Sequence, residues 1–300
     1  MTAQKTSDID SAGVEGPAMR AAAGAASGLA LLVFLVTLSV GGGEAAAAGR
    51  NGGGLFGGLF GGGGGGGSSK KALLAAYPGA FKIDGNMIIF PSGQRVVWDD
   101  GRAKSAEELL VDADVEDMFA YPYPRASKGE ERPPRPNDPG RVRSDAFFRA
   151  LYGASEAQAR GTLRNVPWVP KLGGGTVAVT TRFGVADKLA AASAELERLP
   201  PAFHKYLRPS AGTFLWRNIA GTNRLSVHSF GAAIDINTHY ANYWRWDEQP
   251  AGGVIHYRNE IPMEIVAIFE KHCFIWGGRW YHYDTMHFEY RPELLPGCRN

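Results

Sequence analysis

The sequence predicts an α+β fold, a small antiparallel sheet with flanking helices, and three observations carry that expectation. Short runs such as Thr176-Val-Ala-Val-Thr180 alternate with a period of two, as half-buried strands do. Val185, Leu189, Ala192, Leu196 and Leu199 recur at helical spacing until Pro200 and Pro201 end the run. Strand-like and helix-like runs are mixed along the chain, and no internal repeat is visible.

Taken in order, the first element is an export segment. Arg20 precedes an apolar run over 21–40, and Gly41 to Ala48 is rich in small residues with an Ala-x-Ala-like cleavage site near Ala46 to Ala48. Residues 1–48 are therefore read as a signal peptide or, alternatively, as a membrane anchor through 21–40, since 20 mostly apolar residues just reach across a bilayer. Acidic residues ahead of Arg20 fit a signal poorly, an anomaly that a start at Met19 removes. On either reading the bulk of the chain is exported, to the periplasm or cell envelope. Residues 49–71 form a Gly-rich linker: of 40 glycines, 16 fall between Gly41 and Gly67, so the rest of the chain has ordinary glycine content.

Met87-Ile-Ile-Phe90 and Arg95-Val-Val-Trp98, separated by Pro91-Ser-Gly93, predict a hairpin, and a helix is expected over 105–118. The stretch 125–143 is proline-rich and charged and reads as an exposed connector. Ser144 then caps a short helix over 145–152 that Gly153 stops. Residues 72–165 are read as a region decorating the core or a small subdomain, and 166–300 as the domain that carries the chemistry. Within the latter, strands are expected over 213–216, 232–236, 274–276 and 287–290, with a helix opened by Pro262 and running through Glu270.

A chain of 300 residues, 44% hydrophobic and 21% charged, buries a substantial core. Its 32 Lys plus Arg against 30 Asp plus Glu give no strongly basic face, which argues against a nucleic-acid partner. Cys273 and Cys298 bracket the segment containing Asp284 and His287, and an oxidising compartment favours their pairing as a disulfide.

All seven histidines lie between His204 and His287. Two clusters stand out among them: Ser226-Val-His228-Ser-Phe-Gly231-Ala-Ala233-Ile-Asp235 and His282-Tyr-Asp284-Thr-Met-His287-Phe-Glu289. Gly231 allows a sharp turn between His228 and Asp235, so an imidazole and a carboxylate can converge on one cation, with His287 as the third ligand. Three protein ligands leave the fourth position of a zinc ion to water, whereas a structural zinc would fill all four, most often with cysteines. Asp284 is then placed to act as a general base. His282 could stabilise an oxyanion or orient Asp284, and Arg217, on the strand preceding the first motif, offers a planar fork to a substrate carboxylate or carbonyl. Glu289 shares a strand face with His287 and is either a partner to that imidazole or a rival base. Ser226, Arg224 and Trp280 complete the candidate substrate-binding set.

These residues carry a family resemblance. Ser226-x-His228-x-x-Gly231-x-Ala233-x-Asp235 with Asp284-x-x-His287 resembles the zinc D-alanyl-D-alanine carboxypeptidase and L-alanyl-D-glutamate endopeptidase family of cell-wall peptidases, related in fold to the hedgehog signalling domain. The resemblance covers residues 166–295. It implies zinc held by His228, Asp235 and His287, Asp284 as general base, an active-site imidazole at His282, and an upstream arginine that is either Arg217 or Arg224. It also implies peptidoglycan stem peptides as substrate, with carboxypeptidase cleavage favoured over endopeptidase cleavage at L-Ala-D-Glu or at a cross-link. A non-catalytic cell-wall binding module is the rival from another class, although such a module needs no base at Asp284. His204, His239, His256 and His272 are read as ordinary surface or core histidines. Tyr240, Tyr243, Trp244, Trp246, Trp276 and Trp280 either line a cleft or pack the core.

Overall fold

The computed structural model describes residues 65–125, 136–219, 222–246 and 256–298. The export segment read over 1–48, with its apolar run 21–40, lies outside these residues, as does most of the Gly-rich linker. Among the described residues no helix is long and apolar enough to cross a membrane.

The architecture is mixed α and β, as expected. Helix α1 (Gly65–Ala76) begins inside the stretch 49–71 read as linker, which corrects that boundary. The cause is packing rather than propensity: Leu73, Ala76 and the following Tyr77 are buried in the main core, while Lys70 donates to the Gly85 carbonyl at 2.8 Å. Strands β1 (Lys82–Asp84), β2 (Met87–Ile89) and β3 (Arg95–Val97) form an antiparallel meander in which β2 and β3 are the expected hairpin.

The helix expected over 105–118 is not continuous. It breaks into α2 (Ala106–Leu109), capped reciprocally by Ser105 and Glu108, and a 3-10 turn at Asp117–Phe119. Aspartates cause the break. Asp114 N donates to Asp117 Oδ2 and Asp117 N to Asp114 Oδ1, at 2.9 and 3.0 Å, and such side-chain acceptors compete with the helical carbonyls. Lys104 Nζ sits among Asp100, Asp114 and Asp117 at 2.6 to 3.1 Å, so the cation that this acidic cluster attracts is the chain's own lysine.

Helix α3 (Asp145–Tyr152) is capped by Ser144, whose side chain accepts from Phe147 N, and ends at Gly153 with φ of 138°. After α4 (Glu156–Arg160), strand β4 (Leu163–Pro167) pairs antiparallel with β5 (Thr176–Thr180), crossing position 165. Helices α5 (Val185–Leu196) and α6 (Pro201–Leu207) follow, the latter opened by its proline. The described parts of 72–165 share one core with the segments after position 165: Phe148 and Tyr152 pack on Phe230, and Tyr77 Oη donates to Glu293 Oε2 at 2.8 Å. The described residues accordingly belong to a single compact unit.

The expected strand over 213–216 is an extended segment with only isolated bridges, Gly212 to Asp235 and Asn218 to Leu225. Its carbonyls are taken by other groups. Thr213 O faces His228 Nδ1 at 2.9 Å and Leu215 O accepts from Ser229 Oγ at 3.2 Å, so the turn over 226–230 replaces a neighbouring strand.

The last sheet positions the site. Strand β6 (Ala233–Asp235), helix α7 (Met263–Lys271) and strands β7 (Phe274–Trp276) and β8 (His287–Tyr290) follow in order, and the sheet runs β6-β8-β7 with every pair antiparallel. Phe269 of α7 stacks on Phe288 of β8 with centroids 3.8 Å apart. Both rings are fully buried, so truncating either costs about 3–5 kcal/mol. Cys273 and Cys298 are disulfide-bonded, their Cα atoms 5.6 Å apart, and close a loop around β7 and β8.

Candidate metal centre

Strand pairing brings the first two ligand candidates together. In the β6–β8 register Asp235 lies directly opposite His287, a cross-strand relationship that holds Cβ atoms about 4.5–5.5 Å apart. The third comes from the 3-10 turn Val227–Phe230, where Ser226 is N-cap and accepts from His228 N at 3.3 Å. Gly231 ends that turn in the left-handed region with φ of 65°, and a Cβ there would stand 2.6 Å from Leu163 Cδ2. Only glycine satisfies both conditions, and the chain then passes straight into β6.

Three atoms converge as a result. His287 Nδ1 lies 3.0 Å from Asp235 Oδ1, His228 Nε2 lies 3.2 Å from the same oxygen, and the two ring nitrogens are 3.1 Å apart. The opposite nitrogen of each ring is engaged elsewhere: His228 Nδ1 donates to the Thr213 carbonyl at 2.9 Å, and His287 Nε2 to Glu289 Oε2 at 2.9 Å. Each imidazole therefore turns a lone pair toward the carboxylate, and three acceptors meet with no donor among them. Only a cation or an added proton reconciles that arrangement.

The spacing fits a metal. A tetrahedral ion with bonds of about 2.0–2.1 Å has ligand atoms roughly 3.3 Å apart, close to the separations found. Among the described residues this is the one metal-competent group that contains histidine; the two others are the acidic sets around Lys104. His228, Asp235 and His287 thus fit zinc by donor type, tautomer and spacing.

Electrostatics agree. Burial by itself would raise the Asp235 carboxyl, yet the facing imidazoles hold it well below the usual carboxylate range. Burial disfavours the charged form of His287, but hydrogen bonds to Asp235 and Glu289 push its pKa up to about 10 in the metal-free protein. Glu289 is buried too, and His287 and Arg291 bring it down to about 2. Arg291 bonds Glu289 Oε1 at 2.9 Å, Glu293 Oε1 at 2.6 Å and the Gly140 carbonyl at 2.8 Å. A buried chain of ion pairs therefore runs from His287 through Glu289 and Arg291 to Glu293, which accepts a hydrogen bond from Tyr77.

The centre opens on a cavity of about 280 Å³ lined also by Arg217, Ser226, Trp280 and Asp284. Asp284 is fixed by its backbone, with its N–H donating to Gly277 O at 3.0 Å and its carbonyl accepting from His287 N at 3.2 Å. Burial raises its carboxyl above the ordinary value, Asp235 adds to that, and His287 and Arg141 partly offset it. Asp284 Oδ1 is buried without a hydrogen-bond partner among the described residues. Trp280 lies against His287, their ring centroids 5.5 Å apart.

Residues 220–290 match a family model described as D-alanyl-D-alanine carboxypeptidase. That match supports a peptidase. It covers the three candidate ligands and Asp284, while α1 to α6 lie before it. Comparison with curated proteins and with solved structures yields no match.

Other candidate residues are spread around the centre. Arg217 lines the cavity, its backbone N–H donating to Ser229 Oγ at 2.9 Å. Arg224 is committed elsewhere, with Nη1 and Nη2 donating to the carbonyls of Arg143 and Arg141 at 2.8 and 3.1 Å, so it clamps the 141–143 loop. His282 lines an adjoining cavity of about 310 Å³, and Asp138 holds both its N–H and its Nδ1, each at 2.9 Å. Of the aromatic set, Tyr243 and Trp246 line the metal cavity, Trp244 the adjoining one, and Trp276 is core. His204 bonds the Leu199 carbonyl and His272 reaches Glu195, both away from the centre.

Sequence reasoning missed Asp138, Gly140 and Arg141, which reach the site from the connector read over 125–143. Gly140 has a detectable cause: φ is 96°, and a Cβ would stand 2.5 Å from Ile275 Cδ1 and 3.2 Å from Glu289 Oε1. Pro139-Gly140 was the only local signal.

Proposed function

We propose that this chain is an exported zinc peptidase that hydrolyses peptidoglycan stem peptides, of the D,D-carboxypeptidase type. One observation carries the reading: His228 Nε2, His287 Nδ1 and Asp235 Oδ1 present lone pairs 3.0 to 3.2 Å apart on a cavity wall that also holds the buried carboxylate of Asp284. Zinc held by these three residues would supply Lewis acidity, polarising a carbonyl and making water a nucleophile near neutral pH.

The chain's own groups account for the remaining chemistry. Asp284, anchored at both its N–H and its carbonyl, accepts the proton of the attacking water and returns it to the leaving amine. Its raised pKa suits a group that must do both. Arg217 offers donors to the oxyanion that develops on the scissile carbonyl. Its place on the metal cavity favours it over Arg224, which is bound to backbone carbonyls, and over His282, which faces the adjoining cavity. Trp280 and Ser226 shape the wall on which the peptide lies. The apolar run 21–40 and the disulfide support export, with the run serving as signal or as membrane tether.

L-alanyl-D-glutamate or cross-link endopeptidase cleavage is the nearest alternative, and a silent cell-wall binding module the more distant one. Mass spectrometry of muropeptides digested with the purified protein tests all three. Loss of one terminal alanine supports the carboxypeptidase reading. Cleavage within the stem or cross-link replaces it with the endopeptidase, and intact muropeptides bound by a zinc-loaded protein leave the binding module.

A further inference from the structure

We propose that Arg141 is a specificity residue that holds the free carboxylate at the C-terminal end of the peptide, so that the cavity accepts chain ends rather than chain interiors. The inference rests on the hydrolytic reading above and deepens it.

Arg141 is held on several sides yet left with an open donor. Its Nε donates to the His282 carbonyl at 2.8 Å, and its guanidinium lies 4.6 Å over the ring of Trp280. Nη2 points toward Asp284 Oδ2 but stops at 3.9 Å, beyond hydrogen-bond reach, and it is buried without a hydrogen-bond partner among the described residues. A buried donor left unmade is costly, and a ligand oxygen is the natural way to satisfy it. Because the stem is already fixed, little side-chain freedom is lost when an anion arrives, and the planar fork matches a carboxylate.

Position supplies the second half of the argument. Arg141 lines both the metal cavity and the adjoining one, and so stands in the wall between them. A peptide lying on the metal centre meets a fixed positive charge at that end. A terminal carboxylate gains by it, whereas an uncharged continuing amide must pass a buried charge that it cannot neutralise.

The test compares a short peptide ending in D-Ala-D-Ala as the free acid and as the C-terminal amide, using the zinc-loaded protein. The wild type is expected to prefer the acid by about 100-fold in kcat/KM. In Arg141→Gln the acid loses about 10- to 100-fold, mostly through KM, and the acid-to-amide preference collapses toward one. Arg141→Lys, which keeps the charge without the fork, falls between and serves if the Gln variant does not fold. Equal cleavage of acid and amide by the wild type, or an unchanged preference in the variants, overturns the proposal while the peptidase reading stands. Should the wild type hydrolyse neither peptide, that reading fails separately. Calorimetric binding then still decides the role of Arg141: acid-selective binding lost in Arg141→Gln supports it, and equal binding of acid and amide overturns it.

Discussion

Glu289 accepts a hydrogen bond from His287 Nε2 at 2.9 Å, and that bond decides which nitrogen of the ring faces Asp235 and His228. Two residues apart on β8, the pair shares one face of the strand by alternation. Glu289 is also bonded to Arg291, so its orientation is set before any cation arrives. Its bond to His287 Nε2 fixes the tautomer of that ring, and the proposed base remains Asp284.

Replacing Glu289 with Gln should therefore weaken zinc binding without removing a ligand. The expected loss is about 10- to 100-fold in affinity, read by competition with a fluorescent chelator. Unchanged affinity would mean that Glu289 does not set the ring.

Zinc affinity should depend on pH through His287. Its imidazole holds a proton up to a pKa of about 10 in the metal-free protein, and the metal must displace that proton. Affinity is expected to rise about tenfold per pH unit from pH 6 to 9, with proton release detectable in buffers of different ionisation enthalpy. A flat profile would contradict the assigned tautomers.

The stability of the metal-free protein has its own pH window. His287, with its pKa raised, contributes fully below its unfolded value of about 6.5 and loses that contribution as pH rises toward about 10. Glu289, lowered to about 2, contributes above its unfolded value of about 4.3 and loses that contribution as pH falls toward about 2. Chelator-treated protein should accordingly show its highest Tm between about pH 4.5 and 6.5. Asp284 acts oppositely at neutral pH: its folded pKa is raised, so ionising it costs stability. Asp284→Asn should raise the Tm of the metal-free protein at pH 7 while abolishing turnover, the gain shrinking as pH falls and the wild-type carboxyl protonates.

Much of this candidate centre was legible in the sequence, because the three residues proposed as ligands sit in local patterns. Gly231 marks the turn after His228, alternation marks β6 and β8, and antiparallel pairing of those strands sets Asp235 opposite His287. What remained hidden depends on long-range placement. Arg141 and Asp138 reach His282 across 141 and 144 positions from a proline-rich connector that has no period to read. The helix expected over 105–118 failed for a local reason, since paired aspartates compete for backbone donors. The strand expected over 213–216 failed because His228 and Ser229 take its carbonyls.

The Cys273–Cys298 bond closes a loop with a separation of 25 residues around β7 and β8. Replacing both cysteines with serine should cost about 3 kcal/mol on the chain-entropy account, seen as a lower urea midpoint. A midpoint equal to that of the wild type would show that the bridge adds nothing to the packing of this sheet.

The most direct test of the account is zinc stoichiometry by elemental analysis of the purified protein and its variants. One zinc per chain is expected in the wild type and in Asp284→Ala, and much less than one in His228→Ala, Asp235→Ala and His287→Ala. Full zinc content in folded variants that lack these three side chains would contradict the account.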